Sequence, residues 1–112
     1  MAQKVNNRYS DGMDAKLADI MEKLRALKPE LRTRFGVLGV SVFGSFLRGE
    51  QTSASDLDLL VRFQEGARPT LFSLSDMDAL LEERLGVNVD TVPETCLNPR
   101  IEPFIRAALL EV

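Results

Sequence analysis

Two apolar runs joined through a glycine-serine turn, the second of them opened by a pair of carboxylates, constrain this chain more than anything else in it. Val37 to Phe43 (VLGVSVF) is rich in β-branched residues and closes at Gly44-Ser45. Asp56-Leu57-Asp58 then opens a second run, in which Leu57, Leu59, Val61 and Phe63 alternate with Asp56, Asp58, Leu60 and Arg62. Alternation of this kind predicts a strand with one face buried. On a strand, residues i and i+2 share a face about 7 Å apart, so both acids point the same way. A turn that lets a phosphate come close therefore stands one connection from paired acids able to hold Mg²⁺.

The flanking segments supply helices. Met13, Leu17, Ile20, Met21, Leu24 and Leu27 recur at spacings of three and four, an amphipathic stripe that Ser10 or Asp11 can cap. Pro29 is expected to interrupt this helix, with Glu30 to Arg34 forming a separate short turn and Gly36 ending the segment. Gln64 to Pro69 reads as a break. Leu71 to Leu85 predicts a second helix, with Leu74, Met77, Leu80, Leu81 and Leu85 inward and Gly86 just past its end. Val87 to Val92 predicts a third strand stopped by Pro93, with Asn88 and Asp90 on its polar face. Asn98-Pro99 predicts the start of a last helix running to Leu110. The order is helix, strand, strand, helix, strand, helix. That is an α/β fold, a small mixed β-sheet covered by helices, in a single domain over residues 1–112 with a polar lead-in at 1–10.

Composition narrows the chemistry by exclusion. The chain has 112 residues, no histidine and one cysteine. Without histidine there is no Ser-His or Cys-His nucleophilic pair, and a lone Cys96 supplies neither a disulfide nor a thiolate zinc cage. The remaining reactive groups are carboxylates, hydroxyls, Lys and Arg, a set suited to a hard cation and a phosphate. A net charge of −3 gives no basic field for nucleic acid, so a polymer substrate is disfavoured, although Arg32 and Arg34 form a local basic pair. The polar N-terminus and the absence of a long apolar run point to a cytoplasmic protein with no membrane association.

Each candidate site residue also has a plain structural reading. Gly44-Ser45 alone is an ordinary strand-to-helix turn, or a phosphate-facing one if a short helix from Phe46 to Arg48 aims its N–H groups at an anion. Asp56 and Asp58 could be solvated acids on a sheet edge. Yet like charges at that spacing repel by roughly 2 kcal/mol at an effective dielectric near 20, which favours a counterion. Asp90 could be a turn acid near Pro93. If its strand neighbours the second one, however, three carboxylates converge on a Mg²⁺ site. Arg48 can pair with a phosphate or with Glu50.

Together these residues resemble the minimal nucleotidyltransferase domain of the polymerase-β-like nucleotidyltransferase superfamily. That pattern is a Gly-Ser turn, about ten residues, Asp-x-Asp on a strand and a later Asp. It is met here by Gly44-Ser45, Phe46 to Ser55, Asp56-Leu57-Asp58 and Asp90. Arg48-Gly49, Ser55 and the approach from Lys28-Pro29-Glu30-Leu31 to Phe35-Gly36-Val37 match as well. The resemblance spans residues 13–112. Phe46 and Leu47 are bulkier than the usual residues after the turn, and Thr91 stands where an apolar residue is usual.

The resemblance implies transfer of AMP from ATP to a hydroxyl with release of pyrophosphate. On that reading Gly44, Ser45 and Arg48 hold the nucleotide, while Asp56, Asp58 and Asp90 are the catalytic acids and the Mg²⁺ ligands. Because the chain holds little after the third acid, the acceptor is expected on another chain. In the family that partner is a HEPN toxin, modified on a tyrosine, and the nucleotidyltransferase is the antitoxin. A non-catalytic antitoxin that neutralises its partner by occlusion is the alternative, and an aminoglycoside-type transferase a weaker one. Homo- or hetero-oligomerisation is left open.

Overall fold

A computed structural model describes residues 15–50 and 55–112. The proposed cap at Ser10 or Asp11, and Met13, lie outside the described residues. The first element, α1 (Ala15–Phe35), is one continuous helix with Pro29 inside it. Proline removes a backbone donor and crowds the preceding turn, at a cost of about 3 kcal/mol in a helix interior. The helix nonetheless continues because its apolar stripe does. Leu24 and Leu27 before the proline and Leu31 after it are all buried, and each buried leucine contributes roughly 1.5–3 kcal/mol. The expected interruption at Pro29 is therefore corrected: tertiary burial outweighs the local break. Gly36, at φ +75°, ends the helix with its N–H on the Arg32 carbonyl at 3.0 Å.

β1 (Val37–Phe43) leads through the four-residue helix α2 (Ser45–Arg48) to β2 (Leu57–Phe63), which pairs with it antiparallel. α3 (Leu71–Leu85) starts on a capping box: the Thr70 hydroxyl accepts from the Ser73 N–H, and the Ser73 hydroxyl accepts from the Thr70 N–H. It stops at Gly86, whose N–H returns to the Glu82 carbonyl. The chain then enters β3 (Val89–Pro93), parallel to β2. This strand begins two residues later than expected and includes Pro93, a residue an edge strand accepts.

The C-terminal segment departs furthest from expectation. The long last helix is absent. A short helix, α4 (Glu102–Arg106), is followed by a fourth strand, β4 (Leu110–Glu111), antiparallel to β1. The segment is pinned by the Val112 N–H on the Val40 carbonyl at 2.9 Å and by Lys28 Nζ donating to the Val112 carbonyl at 3.0 Å. Ile101 is 48% exposed and Phe104 76% exposed, so the apolar side of α4 does not lie in the core.

The sheet order is β3-β2-β1-β4, a mixed four-stranded sheet. Leu57, Leu59 and Val61 of β2, with Val40 and Val42 of β1, form one core with the stripes of α1 and α3. Strand alternation then sends Asp58, Leu60 and Arg62 to the opposite face. No helix among the described residues is long and apolar enough to cross a membrane.

Candidate active site

The site lies at the end of β2 where β1 has just turned away. Gly44 adopts φ 82°, ψ −153°, a region essentially closed to other residues. The reason is visible in its surroundings. A Cβ on Gly44 would overlap Asp58 Oδ2 and stand 3.0 Å from Asp58 Cγ. The missing side chain is the space the Asp58 carboxylate occupies. Phe43 is the register partner of Asp58, so the β1–β2 pairing itself brings the turn and the acid together.

The third acid comes from the other side. Asp90 is the register partner of Asp58 across the parallel β2–β3 pair, where strands lie about 4.8 Å apart. Asp56 stands one residue ahead of β2. The effect on Asp58 is electrostatic as well as geometric. Partial burial raises its pKa above the ordinary 3.8, Asp90 and then Asp56 raise it further, and Arg48 pulls the other way. A half-buried carboxylate pressed by two like charges is a place where a cation is favoured.

Arg48 donates from Nε to Glu50 Oε1 at 2.8 Å, both side chains being more than half exposed. The N–H groups of Leu47 and Arg48 return to the Gly44 carbonyl at 3.1 and 3.2 Å. Those two donors of α2 are consumed locally and are not aimed at an anion. Ser45, the first residue of α2, follows Gly44 directly. Arg34, one of the two basic residues considered for contacts, is held by Glu30 at 2.9 Å.

Fit to Mg²⁺ can be judged from this donor set. Mg²⁺ commonly takes one or two carboxylates and completes its shell with water and substrate phosphate. Among the described residues, no three acidic or cysteine side chains are gathered into a ready-made cage. What the site provides is a register-matched pair, Asp58 and Asp90, with Asp56 one residue ahead of β2 and the Gly44 turn against Asp58. This suits an ion that arrives with a nucleotide.

Two residues that the sequence reading did not single out support this arrangement from behind. Thr91 Oγ1 donates to Asp78 Oδ1 of α3 at 2.6 Å, and the Val89 N–H donates to Glu82 Oε2 at 3.0 Å. Asp78 and Glu82 are one helical turn apart on α3. Their bonds fall on the residues flanking Asp90. Burial raises the Asp78 pKa, the Thr91 hydrogen bond lowers it, and Glu82 and Asp90 add to the rise. The signal in the sequence was an acid four residues after the inward Leu74 and a hydroxyl at an inward strand position, a pairing that only the fold reveals.

Known proteins share this sequence pattern and fold. The nucleotidyltransferase domain family matches residues 24–111. Protein adenylyltransferase MntA of Thermococcus cleftensis is 44% identical over 85 residues, covering 76% of this chain and 84% of that protein. A solved chain assigned as a minimal nucleotidyltransferase superposes with a TM-score of 0.64 at 41% identity, covering 81% of this chain and 94% of the other. A chain from a toxin-antitoxin crystal structure with AMP-PNP shares the fold at a TM-score of 0.65 and 20% identity, over 80% of this chain and 69% of that one. The chain belongs to the nucleotidyltransferase domain family, and within it stands with the small enzymes named as protein adenylyltransferases.

Proposed function

We propose that this chain is a Mg²⁺-dependent antitoxin that transfers AMP from ATP to a tyrosine hydroxyl of a HEPN toxin. The observation that carries the reading is the wedge of Asp58 into the space left by Gly44, with Asp90 abreast of it on the next strand. Its support beyond the site is the name of the Thermococcus relative and the toxin-antitoxin assembly in which a chain of the same fold occurs.

Each residue then has a role. Gly44 leaves room for the Asp58 carboxylate and so sets that acid beside the turn, and the Ser45 hydroxyl donates to a phosphate oxygen. Arg48, exposed and already drawn toward the acids, exchanges Glu50 for a phosphate. Asp56, Asp58 and Asp90 would hold Mg²⁺, which when bound offsets the charge of the triphosphate and of the departing pyrophosphate. In this reading Asp90 accepts the proton of the attacking hydroxyl. The acceptor oxygen bonds to the α-phosphorus, the bond to the pyrophosphate oxygen breaks, and no histidine is needed because such transfers rest on positioning and charge.

The test is protection of cells expressing the partner toxin by the wild-type chain or by the Asp56→Asn, Asp58→Asn variant. Under this proposal the variant folds, still binds the toxin and gives no protection. Full protection by the variant would show that occlusion alone is the activity.

A further inference from the structure

We propose that α3 acts as a register clamp for the catalytic strand, and that Asp78 and Thr91 are positioning residues for Asp90. The inference rests on the reading of Asp90 as a metal-nucleotide ligand given above. Two independent hydrogen bonds carry it. Thr91 Oγ1 donates to Asp78 Oδ1 at 2.6 Å, and the Val89 N–H donates to Glu82 Oε2 at 3.0 Å.

Alternation along a strand puts Val89 and Thr91 on the face toward α3 and Asp90 on the opposite one. The clamp therefore grips β3 immediately before and after Asp90, at the Val89 backbone N–H and at the Thr91 side chain on the face away from Asp90. The need for a clamp follows from the local energetics. Asp90 and Asp58 are register partners, and their like charges favour separation of the strands at this point. Among the described residues β3 is also an edge strand of five residues, paired only with β2. A slip of one residue would carry Asp90 to the core face. Fixing Thr91 to a helix that is itself packed on α1 opposes both outcomes. Outer partners of this kind tune a metal site without touching the ion.

The experiment measures two quantities besides turnover. The first is the affinity for Mn²⁺ with the non-reacting analogue adenosine 5′-(α,β-methylene)triphosphate, by calorimetry on the full chain. The second is amide hydrogen exchange over residues 89–92. Thr91→Val is expected to weaken Mn²⁺-analogue binding about tenfold, the low end for outer partners of a metal site, and to speed exchange in β3. Thr91→Ser and Asp78→Asn, which keep a donor and an acceptor at this bond, are expected to restore both toward wild type. Asp90→Asn sets the reference for loss of the ligand itself. If Asp90→Asn weakens binding while Thr91→Val lowers only the melting temperature, the clamp is merely structural and this proposal is overturned alone. If Asp90→Asn leaves binding unchanged, the metal reading of Asp90 falls and the clamp's role falls with it.

Discussion

Replacing Gly44 by alanine is the sharpest structural perturbation of the site, because backbone and packing oppose the new methyl for separate reasons. The backbone at φ 82°, ψ −153° is a glycine region, and an L-residue held there costs about 1–3 kcal/mol. The added Cβ would also overlap Asp58 Oδ2 and stand 3.0 Å from its Cγ, so the carboxylate must move. Overpacking of this sort adds about 1–3 kcal/mol. The expected loss is therefore roughly 2–6 kcal/mol, a large share of the 5–15 kcal/mol typical of a domain. Gly49 is the control. It also has a positive φ, +73°, but nothing lies within 4 Å of an added Cβ. There alanine is expected to cost about 1 kcal/mol, the strain being partly offset by a less flexible unfolded chain. Urea denaturation of both variants measures the difference, and repeating Gly44→Ala in an Asp58→Ala background isolates the collision. Asp58 Cβ would lie 3.3 Å from the new methyl, so most of the overlap is relieved. The cost of Gly44→Ala should then shrink by about 1–2 kcal/mol. Equal costs at Gly44 and Gly49, or no relief without the carboxylate, would refute the view that Gly44 exists to admit Asp58.

Further outcomes follow from the same structure. In the folded protein without metal, Asp58 and Asp78 have pKa values above the ordinary 3.8, so the native state holds protons that the unfolded chain has lost. The contribution of these two groups to stability therefore falls as pH rises from about that value through their folded-state pKa values, and is level above them. Thermal melts of wild type and Asp58→Asn against pH isolate the Asp58 part: the stability of wild type relative to Asp58→Asn should decline as pH rises through the window, and a relative stability that rises there would contradict the repulsion described. Pro29→Ala should stabilise α1 by about 1–2 kcal/mol, part of the interior-proline cost being balanced by unfolded-state entropy, and a denaturant midpoint shifted downward would show the proline to be favourable where it stands.

Much of this was legible in the sequence where the determinants are local. β1 and α3 begin and end where their apolar patterns do, because Gly44 and Gly86 supply backbone conformations that stop them. The acids of β2 were visible as breaks in an alternating strand. The errors share one cause, which is that distant partners decided the outcome. Pro29 looks like a helix end until Leu31 is seen buried beside Leu24. Ile101, Phe104, Ile105 and Leu109 have helical spacing, yet the segment after them is drawn into the sheet by the open edge of β1 and held by Lys28. Thr91 looked like a departure from the usual pattern and is matched by Asp78, 13 residues away on another element.

If Asp56, Asp58 and Asp90 make an AMP-transferring centre, as proposed, the acceptor gains mass. Intact mass spectrometry of the protein encoded beside this gene, after incubation with this chain, ATP and Mg²⁺, reads that gain. A gain of one or more AMP units on that partner, lost with Asp56→Asn, Asp58→Asn, is the predicted result. An unmodified partner in a stable complex with the wild-type chain would contradict it.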